Sequence, residues 1–182
     1  EILEGDMALL AVGLKGNIEN IGLEELGIIT DRCAITINEF NQTNIPTIYA
    51  IGDVSGPPWL AHVASAQGHV AADHTAGHSP KPVDYTNIPG CTYCQPQVGS
   101  LGMTEAQAKE SGHDVKIGKF LFQASGKAMA VGDTTGFVKL VFEGKYGELL
   151  GAHIVGSEAT ELIAELGMAK SLETTWEEIA MT

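Results

Sequence analysis

The sequence predicts two successive pieces of different fold class, an α/β or mixed-β segment through residue 88 and then an α+β domain. Three observations lead there. In the first part, apolar runs of strand length stop at glycine, ahead of a single Ala- and Gly-rich helical stretch. In the second part, strand-like runs precede helices. Between them, Gly77-His-Ser-Pro-Lys-Pro82 carries two prolines in three residues, which end a helix and impose an extended connection, so a boundary falls near residues 78–89.

Taken in order, Asp6-Met-Ala-Leu-Leu-Ala-Val-Gly13 reads as a short buried strand, followed by a Gly-rich loop and a helical turn from Gly22 to Gly27. Ala34-Ile-Thr-Ile-Asn38 alternates apolar and polar residues as a strand does, and Thr47-Ile-Tyr-Ala-Ile51 is a buried strand that stops at Gly52-Asp53. Beyond the turn Gly56-Pro57-Pro58, the segment from Trp59 to His74 sets Leu60, Val63, Ala64, Val70 and Ala71 at the spacing of a tightly packed helix. In the second part, strands are expected at 115–122, 137–142 and 149–155. Thr104 and Gln107 have capping-box spacing, Ala159, Leu162, Ile163, Leu166 and Ala169 form an apolar helical stripe, and Thr175-Trp-Glu-Glu178 opens a further helix.

Composition narrows the function classes. With 44% hydrophobic and 18% charged residues over 182 positions, a packed core forms readily. The net charge of −13 is shared between both parts and repels nucleic acid and anionic membranes, so neither is an expected partner. No apolar run approaches the roughly 20 residues of a membrane-spanning helix. Three cysteines, Cys33, Cys91 and Cys94, are too few and too sparse for a secreted disulfide framework and suit a reducing cytoplasm. The N-terminus Glu-Ile-Leu-Glu-Gly-Asp has neither an initiator Met nor a leader pattern, so the chain reads as cut from something longer.

The chemistry concentrates in Thr43-Asn-Ile-Pro-Thr-Ile-Tyr-Ala-Ile-Gly-Asp53 and the Val-Ser-Gly-Pro-Pro-Trp-Leu-Ala-His-Val-Ala64 that follows. A strand ending in Gly-Asp delivers a carboxylate to the sheet edge where ligands collect, and Asp accepts hydrogen bonds from sugar-like hydroxyls. A helix starting near Trp59 aims free N–H groups and the positive end of its dipole at an anion or developing negative charge. An Asp at a strand end is also a common turn residue or helix cap.

The length of the pattern separates these readings. The segment resembles the second FAD-binding motif of the pyridine nucleotide-disulfide oxidoreductases, and Trp59-Leu-Ala-His62 lies where the dihydrolipoamide dehydrogenase branch has Met-Leu-Ala-His. By this resemblance Gly52 and Asp53 meet the ribityl chain of FAD, and Trp59, Leu60, Ala61 and His62 border its isoalloxazine ring. Leu9-Leu-Ala-Val-Gly13 resembles the strand leaving the family's NAD domain, with Gly13 near NAD, although Gly13-Leu-Lys-Gly-Asn17 departs from the usual Gly-Arg-Arg-Pro-Asn. Tyr93-Cys-Gln-Pro-Gln-Val-Gly-Ser-Leu-Gly-Met-Thr-Glu105, Gly132-Asp-Thr-Thr-Gly-Phe-Val-Lys-Leu140 and Leu149-Leu-Gly-Ala-His-Ile-Val-Gly156 resemble successive blocks of the dimerisation domain. The resemblance thus implies the end of an NAD-binding domain at 1–15, an FAD-domain segment at 16–88, and a dimerisation domain at 89–182 with an antiparallel sheet and helices.

It also implies a parent enzyme that oxidises protein-bound dihydrolipoamide through a redox disulfide and FAD, reducing NAD. The parent would be a homodimer serving a lipoyl-bearing acyltransferase of a 2-oxoacid dehydrogenase complex. Within the chain no catalytic or metal-ligating residue is assigned, because the family's His-Pro-Thr-x-x-Glu signature would fall after Thr182. The adenosine pyrophosphate cradle Gly-x-Gly-x-x-Gly is absent, so this chain alone is expected to hold little FAD. A non-catalytic homodimerisation module, or part of a related mercuric or glutathione reductase, is the alternative.

Other patterns are read as structural. Cys91-Thr-Tyr-Cys94 has redox or zinc spacing, but no second pair completes a metal site, and both thiols are expected to be buried at the start of a strand. His153 and Glu158 resemble the catalytic signature without its Pro and Thr, and a packing role is expected for His153. His69, His74 and His78 are expected as ordinary polar positions where the helix ends.

Overall fold

The computed structural model describes residues 4–182; the first three residues of the expected 1–15 segment lie outside the described residues. The chain divides into two compact units, one running up to Val83 and the other from Asp84 to Thr182.

In the first unit the only regular strands among the described residues are β1 (Thr30–Asp31) and β2 (Ala34–Ile35), an antiparallel pair of two residues each. The expected strand at 6–13 forms no strand with any described residue, and Leu9 is 92% and Val12 86% exposed. Its apolar pattern is that of a buried strand, but a strand forms only where neighbours take up its N–H and C=O groups, and no described residue does so. The expected strand at 47–51 shrinks to a single bridge between Gln42 and Tyr49. There the backbone doubles back around Pro46, and Ile48 O accepts both the N–H and the hydroxyl of Thr43. The expected helical turn at 22–27 is a short run of turns, with Leu26 N–H on Gly22 O at 3.3 Å, the bond of one helical turn, and Gly27 N–H on Glu24 O at 3.1 Å. Ile18, Leu23, Ile28, Ile35 and Ala50 form the small core.

Helix α1 (Ala61–Thr75) begins two residues after the expected start and buries Val63, Gln67, Val70 and Ala71, a stripe with helical spacing. It does not fray at His74. That ring stacks on Phe40 with centroids 4.6 Å apart and bonds the Tyr49 hydroxyl through Nδ1 at 2.8 Å, so its role is packing. His69 and His78 are exposed.

The second unit is the expected α+β domain. Its strands β3 (Gly90–Thr92), β4 (Gln97–Gly102), β5 (Val115–Leu121), β6 (Gly136–Glu143) and β7 (Leu149–Gly156) form one antiparallel sheet in the order β3-β4-β7-β6-β5. Between them lie α2 (Glu105–Glu110) and α3 (Gly126–Val131), and after them α4 (Ala159–Ser171) and α5 (Trp176–Met181). Both expected N-terminal signals are realised: Thr104 with Gln107, and Thr175 with Glu178, form complete capping boxes.

Helix α4 packs Ala159, Ile163 and Leu166 on Leu101, Ala152 and Ile154 of the sheet. Gly99 permits this approach, since a Cβ there would lie 2.5 Å from Ala159 O and 3.0 Å from Ile163 Cβ. Leu162, expected on the same stripe, is 42% exposed. On the opposite face Ala108 of α2 covers Val141 and Leu150.

Cys91 is half-buried against Thr160 O, but Cys94 is exposed, contrary to the expectation of two buried thiols. Strand β3 ends at Thr92, so Cys94 sits in the turn leading to β4, where no helix covers it. His153 lies in β7 as expected. Its Nε2–H donates to Met103 O at 3.1 Å, which leaves Nδ1 to accept from the Ser100 hydroxyl at 2.7 Å.

Candidate functional site

The candidate site is built from the turn at Gly52-Asp53 and the N-terminal end of α1. Gly52 adopts φ 72°, where glycine is favoured, and starts a short 3-10 turn, Gly52–Ser55, that leaves Asp53 exposed to accept hydrogen bonds. The turn is closed by the Ser55 hydroxyl donating to Gly52 O at 2.8 Å and by Gly56 N–H donating to Asp53 O at 3.3 Å. Gly16 approaches from the preceding segment: a Cβ there would stand 3.3 Å from Asp53 O and would collide with Cys33 O.

At α1, Leu60 supplies no side-chain cap and the first turn holds no carboxylate. The first hydrogen bond into the helix runs from Ala64 N–H to Leu60 O at 3.1 Å, so the N–H groups of Ala61, His62 and Val63 remain as donors at the positive end of the helix dipole. Trp59 is half-buried, and its indole N–H is shut off from solvent without an acceptor among the described residues. The imidazole of His62 is exposed.

The structure therefore gathers Gly52, Asp53, Trp59, Leu60, Ala61 and His62 on two adjoining elements of one unit. Gly13 stands apart, exposed and at φ 147°, with nothing within 4 Å of where its Cβ would be. Sequence reasoning missed Gln67 and Asn41. Gln67 Oε1 accepts the Gly52 N–H at 2.7 Å, and Asn41 Nδ2 donates to Gln67 O at 3.2 Å. Both are buried, and a polar residue in the middle of the stripe Val63, Gln67, Val70 is the signal that could have found one of them.

Chemically, the arrangement offers a carboxylate for hydroxyl groups and a row of N–H donors for an electron-rich edge, flanked by an aromatic ring. These features fit the polyol chain and the pyrimidine edge of a flavin. Among the described residues no three His, Cys, Asp or Glu side chains gather to hold a metal ion. No helix among them is long and apolar enough to cross a membrane.

The chain thus carries an exposed Gly-Asp turn in one unit and an antiparallel α+β domain in the other. Residues 1–68 match the pyridine nucleotide-disulphide oxidoreductase family and residues 88–182 match its dimerisation domain. The chain belongs to that family. Its relatives include proteins named dihydrolipoyl dehydrogenase: one from Rhizobium etli is 52% identical over 99% of this chain, and one from Zymomonas mobilis is 52% identical over 96%. The chain spans 38% of the length of each. Among solved structures, LpdA from Mycobacterium tuberculosis superposes with TM-score 0.92 at 27% identity, covering 99% of this chain and 39% of that one. The flavoprotein disulfide reductase RclA from Escherichia coli gives 0.86 at 25% identity over 92% of this chain and 39% of its own.

Proposed function

We propose that the whole protein is a dihydrolipoyl dehydrogenase: it oxidises a protein-bound dihydrolipoyl dithiol to the disulfide and passes the two electrons to NAD. The observation that carries this reading is the Gly52-Asp53 turn set beside the uncapped start of α1, in a chain 52% identical over 181 residues to a protein of that name. FAD, when bound, supplies the two-electron relay between dithiol and nicotinamide. The chain's own residues hold and orient it. Asp53 accepts from the ribityl hydroxyls, the N–H groups at the start of α1 favour electron density on the nearby ring edge, and Trp59 excludes water from one side. Gly13 is assigned to the approach of NAD.

On this reading residues 1–15 end the NAD-binding domain, 16–88 belong to the FAD domain and 89–182 form the dimerisation domain of a homodimer. Exposed apolar side chains on the second unit, among them Val131, Leu162, Met168 and Leu172, supply surface for a second copy. The physiological partner is the lipoyl-bearing acyltransferase of a 2-oxoacid dehydrogenase complex, and free cysteines suit a cytoplasmic location.

The test is turnover by the full-length protein. Dihydrolipoamide with NAD should yield NADH and lipoamide, with the flavin bound. Turnover of glutathione disulfide or of Hg(II), with none of dihydrolipoamide, would refute the reading. The chain of 182 residues expressed alone should be a colourless dimer, and stoichiometric FAD after extensive dialysis would contradict that expectation.

A further inference from the structure

We propose that Gln67 is a positioning residue for the flavin, tying the turn that presents Asp53 to the helix whose first N–H groups border the ring. The proposal rests on the assignment of Asp53 and the α1 N-terminus to FAD made above.

Gln67 lies on the buried face of α1 and is 3% exposed. Its Oε1 accepts the Gly52 N–H at 2.7 Å, next to the residue that carries the carboxylate. From the same residue, the backbone carbonyl accepts Asn41 Nδ2 at 3.2 Å, and Asn41 O in turn accepts the Ala50 N–H at 3.0 Å. Both ends of Ala50-Ile51-Gly52 are therefore referred to one position of α1. Close packing reinforces the link, since a Cβ on Gly52 would stand 3.2 Å from Ala64 Cβ and one on Gly68 would stand 3.5 Å from Ile51 Cδ1.

A ligand that touches both Asp53 and the start of α1 needs the two elements at a fixed separation. In a straight helix Gln67 sits about 9 Å from Ala61 along the axis, so fixing the turn at Gln67 fixes it relative to the donors. Without the acceptor, the Gly52 N–H must find another partner, and the turn can shift against the helix. Gln67 itself need not touch the flavin.

The test uses the apo form of the full-length protein and FAD titration followed by flavin fluorescence, with the visible circular dichroism of the bound flavin as a second readout. Gln67→Leu should raise the apparent Kd for FAD about tenfold, the scale of one part-buried donor left without its partner. It should also alter the flavin dichroism. Gln67→Glu keeps an acceptor oxygen and should restore both. Asp53→Ala tests the underlying assignment and should weaken FAD as well. If Asp53→Ala leaves the Kd unchanged, the assignment on which the proposal rests is overturned. If Asp53→Ala weakens FAD while Gln67→Leu lowers only the thermal stability of the apoprotein, with Kd and dichroism as in the parent, Gln67 is merely structural and the proposal is overturned. Gln67→Met, an unbranched side chain of similar length, replaces the Leu variant should that one not fold, with the same expected and overturning results.

Discussion

Gly52→Ala is the substitution whose cost the structure resolves into separate parts. At φ 72° an alanine meets the left-handed penalty of about 1–2 kcal/mol. Its Cβ would also stand 3.2 Å from Ala64 Cβ, closer than ordinary contact, so α1 must give way at a further cost of about 1 kcal/mol. The single variant should lose about 2–3 kcal/mol. Ala64→Gly removes the second obstacle but weakens the helix by about 1 kcal/mol. The double variant should therefore be about 1 kcal/mol more stable than the two single effects predict together, because only the conformational penalty and the helix penalty remain. Urea unfolding in a Trp176→Phe background, with Trp59 fluorescence reporting on its own unit, measures all three. Strict additivity would refute the reasoning, since it would mean that Ala64 does not limit the space at Gly52.

The second unit yields two further predictions. Hydrogen bonds from Lys109, and then from Lys139 at 2.7 Å, pull the Glu105 carboxyl from its ordinary 4.5 down to about 2. Between those values the unfolded chain binds the proton more readily than the folded one, so this contribution to stability is complete above about pH 4.5 and is lost as pH falls towards 2. A carboxyl-carbon NMR titration should place the midpoint near 2, and Glu105→Gln should flatten that part of the pH–stability curve; a midpoint at 4 or above contradicts the lysine contacts. Gly99→Ala should lose about 2–3 kcal/mol by lifting α4 off the sheet, whereas Gly126→Ala, with nothing within 4 Å of its Cβ, should be neutral or stabilising by up to about 1 kcal/mol. Equal melting temperatures for the two variants would remove the packing explanation.

How legible the protein was in its sequence differs between the two units. In the second, strand periodicity located β5, β6 and β7, and the pairs Thr104 with Gln107 and Thr175 with Glu178 marked two helix starts correctly. Those signals are local: a cap needs only the next turn of helix, and each of these strands has a neighbour within the same unit. Strand β4 and helix α3 were not expected, because Gln-Val-Gly-Ser-Leu-Gly and Gly-Lys-Ala-Met-Ala-Val are short and rich in glycine or alanine. It is tertiary pairing with β7 that makes the first of them a strand. In the first unit the run at 6–13 has the composition of a buried strand, but no described residue pairs with it, and its side chains stand exposed.

The sequence by itself determined the family, the Gly52-Asp53 motif and the presence of α1, because each is written in a contiguous stretch of residues. Only the tertiary structure decided what holds that motif in place. Gln67 is 15 residues from Gly52 and 26 from Asn41, so the bonds that join them exist only after α1 has folded back onto the turn. Periodicity can say that Gln67 lies on a buried face, but the partner for its oxygen is set by how two distant segments pack.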